Sequence, residues 1–566
     1  MRRFSTLAFV FLAIGFTLSS VAQVACDTDY SASLNHLESD RAWNTVNSLT
    51  ANRFEGRLSG TRSAELASEF IADHFSSFGL KPAGENGSYR SRFSVPLWRL
   101  AAMPELALID ENGRMQSFGY RRDYAVRPGS GSGNLSAGVM FVGYGITAKE
   151  FDYDDYGGVV CEGKVVLAII GTPPASKFRQ SSHGSWSLKA DNAVRHGAAA
   201  LVLIDSPSEP TPHFVERWAG GSTIYPKLVI LWGTVRLADR LLAERGLSLS
   251  SLQKLIDQES RPQSLALNSR LRVSVQVAFT GDANGYNVLG YVAGSRAATD
   301  RVVIIGAHYD HLGKDVDGSI FRGANDDASG VAVMIEIARV LSTVARPRSC
   351  VLFAAWSGEE EGLRGSSAYV TRPFFPLADT VAYLNLDMVG CGRQLVCQIS
   401  ETHKMLRAAL NESVEQLGVP ITVEKYSGGS DHASFERNKV ANLMFIRWPD
   451  EFYHTPQDTV DRIQRRDLLE VARPTLLMAL KLSEAAEAVA TQTTTLQTDV
   501  ITKSTVTELT LSVSSHSTRT SPGVTSISPL SSEHSLNLTM IGIAVAVAFL
   551  VIGIFRFRRR TAFRAA

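Results

Sequence analysis

The chain has 566 residues, more than a single hydrophobic core organises, and its length corresponds to about three to four domains. Apolar residues make up 45% and charged residues 20%, the ordinary balance of a globular protein. With 57 Lys+Arg against 56 Asp+Glu there is no global basic field, which excludes a charge-driven nucleic-acid binder.

In chain order, Arg2-Arg3 precedes an apolar run, Phe4–Leu18, and then Ser19-Ser-Val-Ala22. That is the pattern of a secretory signal peptide, residues 1–22, cut after Ala22. Residues 34–125 open with helical periodicity at Ala64, Leu66, Ala67, Phe70, Ile71 and Phe75, ended by Gly79. From 126 the texture changes. Pro128-Gly-Ser-Gly-Ser-Gly133 reads as a flexible, turn-rich link. Strands are predicted at Gly138–Tyr144, Lys164–Gly171, Ala198–Asp205 and Leu228–Trp232, with a helix over Ser187–His196. Residues 126–274 therefore form an α/β insert of domain size.

From 275 to 488 strands and helices alternate again. Strands are predicted at Val302–Ala307, Cys350–Trp356, Val381–Leu386 and Leu443–Ile446, and helices at Gly330–Thr343, His403–Leu417 and Arg465–Ala488. Fully apolar strands separated by helices imply an α/β sheet with helices on both faces. Residues 489–537 are rich in Thr and Ser and form an unstructured stalk. Leu538–Phe555 is an uncharged apolar run, read as a transmembrane helix. Arg556, Arg558, Arg559 and Arg560 follow, which puts the tail 556–566 in the cytoplasm. The expected topology is single-pass, anchored by one C-terminal helix, with the folded part outside the cytoplasm. Asn86, Asn134, Asn411 and Asn537 occupy glycosylation sequons.

The chain has five cysteines. Cys391 and Cys397 are close enough to bridge a loop, whereas Cys161 and Cys350 read as core thiols. No CxxC pattern occurs, so a metal would be held by His and carboxylates. Suitable residues follow the strands. Val302–Ala307 runs into His308, Tyr309, Asp310 and His311, and Cys350–Trp356 into Glu359 and Glu360. Val381–Leu386 runs into Asp387, and Leu443–Ile446 leads to Tyr453 and His454. Asp326 comes from the Gly-rich loop Gly323–Gly330. A single His or Asp after a strand is ordinarily a cap or turn residue. Five such residues in one sheet domain, where ligands gather at strand carboxyl ends, point to a site. Two imidazoles with three carboxylates suit zinc, and with one carboxylate bridging they can hold two ions.

Ala307-His-Tyr-Asp-His311, Gly323-Ala-Asn-Asp-Asp-Ala-Ser-Gly330, Ser357-Gly-Glu-Glu-Glu-Gly-Leu-Arg-Gly-Ser366, Asn385-Leu-Asp-Met388 and Tyr453-His-Thr-Pro-Gln-Asp-Thr459 together resemble the co-catalytic di-zinc aminopeptidase family. Its relatives include glutamate carboxypeptidases, glutaminyl cyclases and the non-catalytic transferrin receptors. The resemblance covers 34–125 and 275–488 and implies a zinc-exopeptidase-type mixed sheet with two Zn2+ per chain. It implies that Asp326 bridges the ions, that His308 and Asp387 complete one site, and that Glu360 and His454 complete the other. Glu359 would be the general base, Asp310 would orient His308, and Tyr453 would donate to the oxyanion. His311, Asp431 and His432 are further candidates near the site. The insert resembles a protease-associated domain through Tyr153-Asp-Asp-Tyr-Gly157, Gly163-Lys-Val-Val166 and His196-Gly-Ala-Ala-Ala-Leu201. Asp152, Asp154 and Asp155 there offer calcium ligands, although a solvated turn accounts for them more simply.

The resulting expectation is an exopeptidase acting on peptides, with an aminopeptidase favoured. A carboxypeptidase or dipeptidase on the same residues is the rival. A receptor or adhesion module is the alternative of another class, disfavoured because a charged cluster kept without metal is costly. The oligomeric state is left open, a homodimer being one option.

Overall fold

Val302–His308 and Cys350–Trp356 are apolar along nearly their whole length because both faces of their sheet are covered. Val303, Ile305, Ala307, Val351, Phe353 and Ala355 enter one core, and Val302, Ile304, Leu352, Ala354 and Trp356 enter the core on the opposite face. Alternation across a pleated strand produces this division. The computed structural model describes residues 30–110, 112–178, 181–208, 225–295 and 301–484. The expected signal peptide, stalk, transmembrane helix and tail lie outside these residues. No helix among the described residues is long and apolar enough to cross a membrane.

Four parallel strands form the centre of the first sheet, in the spatial order Cys350–Trp356, Val302–His308, Thr380–Leu386, Asn442–Trp448. Antiparallel strands flank them, Val277–Val292 on one side and Gln394–Ile399 on the other. The sheet is thus mixed α/β. The helix Gly330–Thr343 is buried along most of its length and packs on the sheet. Arg62–Ser77 is capped by the Thr61 side chain, which accepts from the Ala64 backbone N–H. It buries Ala64, Ala67, Ile71 and Phe75, as its periodicity predicts. The last helix spans 465–484 among the described residues.

A second, eight-stranded sheet has its own two cores. Its parallel part runs Gly133–Phe141, Val165–Ile169, Ala200–Ile204, Val229–Gly233. The predicted strands and the helix at Trp186–Arg195 fall here within a few residues of expectation. The boundary at 126 does not hold. Glu105–Ile109, Met115–Ser117 and Tyr124–Val126 already pair into this sheet. These strands are too short to announce a sheet change, which shows only in their pairing partners. Nor is the Gly/Ser run at 128–133 a free link. The Ser130 hydroxyl is buried and accepts from the Ile230 N–H at 2.9 Å, and Gly131 N–H donates to Leu228 O. Small residues here permit flush packing against the strand edge.

The two sheets are joined through adjacent antiparallel strands, Arg90–Leu100 and Val277–Val292, which meet at the Leu100–Val277 pair. Cys161, Cys350, Cys391 and Cys397 are all free, so the loop bridge between Cys391 and Cys397 is not made. The Cys391 thiol instead lies 3.7 Å from the Asp450 carboxylate, and Cys397 is buried in the core.

The acidic turn of the second sheet is structural. Asp155 is fully buried and accepts from the Tyr144 and Ile146 N–H groups at 3.1 and 3.0 Å. Asp154 accepts from Thr147 Oγ1 and the Tyr156 N–H. Lys189, also buried, donates to the carbonyls of Tyr144 and Gly171. Burial pushes the Lys189 ammonium down to about 7 against the pull of Asp155. Together they fasten the turn at Tyr144 from both sides. Lys189→Met takes the donor from the buried Tyr144 carbonyl and the half-buried Gly171 carbonyl and is expected to cost roughly 3 kcal/mol, read as a lower urea midpoint.

Candidate metal centre

Four of the five candidate ligands stand at or after the end of a central strand. His308 is the last residue of its strand, and Asp387 directly follows Thr380–Leu386. Glu360 and His454 lie in the loops after Cys350–Trp356 and Asn442–Trp448. Asp326 arrives from the loop before the helix Gly330–Thr343. Two glycines permit that loop. A Cβ at Gly323 would sit 2.1 Å from Asp326 O and 2.5 Å from the His311 ring, and Gly323 has φ +56°. A Cβ at Gly330 would sit 2.4 Å from Leu386 O. Only glycine lets these backbones approach so closely.

The five side chains converge. His308 Nε2 lies 3.1 Å from Asp326 Oδ1 and 3.5 Å from Asp387 Oδ1. His454 Nε2 lies 3.1 Å from Asp326 Oδ2 and 3.2 Å from Glu360 Oε2. The two oxygens of Asp326 therefore face two different imidazoles. Ligands held about 2.0–2.1 Å from a tetrahedral ion sit about 3.3 Å from one another. The observed spacings bracket that value, and three carboxylates against two imidazoles leave a buried excess of negative charge that cations would neutralise. The donor set fits two such ions sharing Asp326.

Two neighbours could replace members of these triads by proximity alone. Ligand atoms of His308, Asp327 and Asp387 group together, as do those of His311, Asp326 and Glu360. Asp327 is otherwise occupied. Its oxygens accept the backbone N–H groups of His308, Gly330 and Met388 at 3.2, 2.9 and 3.1 Å. His311 directs Nδ1 to Glu360 Oε1 at 2.8 Å and braces that carboxylate.

Burial opposes ionisation of Asp326, but His311, His308 and His454 outweigh it and hold its carboxyl well below the usual range. Glu360 is likewise held down, to about 2: burial and Asp326 act against this, and His454 and His311 prevail. Glu359 behaves in the opposite way. Burial, with the repulsion of Glu360, Asp387 and Asp431, pushes its carboxyl well up despite His308. Two adjacent glutamates thus sit in contrasting fields.

Asp310 accepts the Glu359 and Glu360 backbone N–H groups, both at 3.3 Å, and so fixes the loop that carries them. The link to His308 is different from the expected one. His308 Nδ1 is 3.2 Å from the Asp310 carbonyl oxygen, and the Asp310 carboxylate is 3.8 Å away. Asp458 accepts from the Asn325 and Asp326 N–H groups at 2.7 and 3.1 Å and seats the Asp326 loop. Tyr453 is partly exposed, with its ring stacked on His454 at 3.7 Å between centroids. Asp431 and His432 are buried nearby, and burial pushes them to about 7 and about 4 respectively.

The sequence gives no sign of Arg57. Its guanidinium is fully buried and donates to four backbone carbonyls: Tyr309 at 2.6 Å, Leu49 at 2.9 Å, Arg322 at 2.7 Å and Gly323 at 2.8 Å. Burial pushes it down to about 10, opposed by Asp458, Asp310, Asp326 and Asp327. It thus pins the chain beside His308 to the loop before Asp326 and supplies the cation behind the acidic cluster. Asp327 and Asp458 carried a partial signal, since both lie inside the recognised motifs.

His308, Asp326, Glu359, Asp387, Tyr453 and His454 open on a cavity of about 220 Å3. Its far wall is apolar, from Met388, Val396, Met444, Ile446 and Trp448, with Gln398 and Glu424 alongside. Among the described residues its lining includes no Arg or Lys.

Arg57→Met removes the guanidinium donor from four backbone carbonyls, of which Gly323 O keeps the Ala328 N–H, and is expected to destabilise the protein by roughly 3–5 kcal/mol, measured by urea unfolding. Arg57→Lys is expected to recover little of the loss, because an ammonium lacks the planar fork.

Residues 287–479 match the model of peptidase family M28. The chain is 29% identical over 204 residues to aminopeptidase YwaD of Bacillus subtilis, covering 34% of this chain and 43% of YwaD. It is 40% identical over 111 residues to aminopeptidase NAALADL1 of Rattus norvegicus, covering 19% and 14%. The chain thus spans less than half the length of these curated relatives. Among solved structures, the fold is similar to an aminopeptidase from Aneurinibacillus sp. strain AM-1, with TM-score 0.58, 22% identity and coverage of 80% and 95%. It is also similar to a zinc aminopeptidase from Bacillus subtilis, with TM-score 0.52, 20% identity and coverage of 79% and 95%. The matched segment carries all five candidate ligands and Glu359, and it is over this segment that the chain is similar to peptidase family M28.

Proposed function

We propose that the protein is a zinc-dependent exopeptidase that removes N-terminal residues from peptides. The observation that carries this reading is the pair of imidazole–carboxylate triads that share Asp326. His308 and Asp387 would hold one Zn2+, Glu360 and His454 the other, with Asp326 between them. When bound, such ions polarise a peptide carbonyl and acidify water. Glu359 faces the same cavity and takes the proton from the attacking water, then passes it to the leaving amine. Tyr453, at the cavity edge, donates to the developing oxyanion.

The cavity favours an amino terminus over a carboxyl terminus. A substrate α-ammonium would meet the carboxylates of Glu359, Asp387 and Glu424, whereas a terminal carboxylate would meet no Arg or Lys among the described lining residues. The apolar wall suits an apolar terminal side chain. The relatives named as aminopeptidases support the same branch. The second sheet is read as a protease-associated insert, on the sequence likeness alone. The placement outside the cytoplasm, on a C-terminal anchor, rests on residues 1–22 and 538–555 of the sequence.

The full chain, purified in detergent, is expected to carry two zinc ions and to cleave a leucine-terminated substrate in preference to lysine- or glutamate-terminated ones. Blocking the substrate amino group should abolish cleavage, and activity surviving thorough chelation would rule out the metallopeptidase reading. Glu359→Gln is expected to keep its zinc and lose about 10²–10⁴-fold in kcat. Asp326→Asn is expected to lose zinc as well. A Glu359→Gln enzyme close to wild type would remove Glu359 from the role of base.

A further inference from the structure

The segment between His311 and Asp326 connects the strand end that carries His308 to the loop that carries the shared Asp326. It forms a hairpin, Gly313–Lys314 paired with Ile320–Phe321. Its stem is tied to the N-terminal segment, since Gly313 N–H donates to Gly56 O and Arg57 donates to the carbonyls of Arg322 and Gly323. Its tip is held from elsewhere. Arg121, in the turn before the strand Tyr124–Val126 of the second sheet's edge, pairs with Asp315 and places Nε 3.0 Å from Asp317 Oδ2. The Tyr120 hydroxyl donates to Asp315 Oδ2 at 2.8 Å. The guanidinium also lies 4.4 Å from the centre of the buried Phe321 ring.

These partners are largely withdrawn from solvent. The side chains of Arg121 and Asp315 are 10% and 3% exposed. Surface ion pairs hold little, but a guanidinium paired with the buried Asp315, stacked on an aromatic ring and with Asp317 alongside, fixes geometry. Arg121 has φ +63°, and its N–H donates to Tyr124 O at 2.7 Å, so the fork is presented from a constrained turn.

We propose that Arg121 is a positioning residue for the metal centre: the second sheet clasps the 312–321 hairpin and thereby sets the spacing between His308 and Asp326. The path is short. The hairpin begins directly after His311, which braces Glu360, and ends two residues before Gly323, against which the His311 ring packs. Release of the tip lets both flanking loops relax, and a ligand spacing matched to a metal is lost first. Groups that orient ligands from outside typically govern metal affinity by roughly 10–100-fold. The proposal rests on the zinc-dependent reading given above.

The test compares the full chain with Arg121→Ala, and with Asp317→Asn as a milder variant in case the first does not fold. Zinc affinity is measured by competition with a chromophoric chelator, alongside thermal unfolding and steady-state kinetics at several zinc concentrations. Arg121→Ala is expected to bind zinc roughly 10–100-fold more weakly, with KM little changed and kcat restored by excess zinc. Asp317→Asn is expected to shift affinity in the same direction by less. Arg121→Lys should recover part of the affinity. A fall in melting temperature with zinc affinity within about twofold of wild type would overturn the proposal and leave Arg121 a purely adhesive contact. If the wild-type chain itself binds no zinc, the functional reading fails and this inference with it. Zinc bound equally by wild type and variants sinks this inference alone.

Discussion

The carboxylate of Asp326, with one oxygen toward each of two histidines, is the constraint around which the first sheet is arranged. A buried carboxylate survives only where its charge is met, and here the imidazoles of His311, His308 and His454 and the more distant guanidinium of Arg57 meet it. Bringing two imidazoles to opposite sides of one side chain requires strands that end at a common edge. The parallel centre of the sheet provides this, because its strands share a direction and their carboxyl ends align. The loop that delivers Asp326 must pass against both Leu386 and His311, which explains glycine at 330 and 323.

The surroundings of Asp326 separate the roles of like residues. Asp326 and Asp327 are neighbours, yet one is ringed by imidazoles while the other is saturated by backbone N–H groups. Glu359 and Glu360 are neighbours held by the same Asp310 through their N–H groups. One is pushed up by burial and its acidic neighbours, and the other is held down by His454 and His311. Adjacent acids with divergent environments would let one loop supply both a ligand and a proton acceptor in the proposed reaction.

The five candidate ligands and Glu359 were legible because each lies beside a fully apolar strand or a glycine-rich loop, and both signals are local. The central strands were legible for the same reason: Val302–Ala307 has no polar face to mislead. Arg57 was not, since its partners lie up to 266 positions away and nothing around Glu55-Gly-Arg57 hints at burial. The strands at 105–126 were missed because a strand of three to five residues declares its sheet only through its neighbour. The Gly/Ser run at 128–133 misled because small residues serve close packing as readily as flexibility. The spacing of Cys391 and Cys397 suggested a bridge, but Cys397 points into an apolar core and Cys391 toward a carboxylate.

The junction between the two sheets has a consequence for how such a chain can change. It leaves the first sheet at Leu100 and returns to it at Val277, and these two residues are paired partners on adjacent strands. Seen from the first sheet, everything between them is the tip of a single long hairpin. A unit attached in this way can be exchanged, resized or recombined as a cassette without re-threading the strands that carry the candidate ligands. What such an exchange would have to preserve is small: a two-strand stem and the side chains that reach back across it.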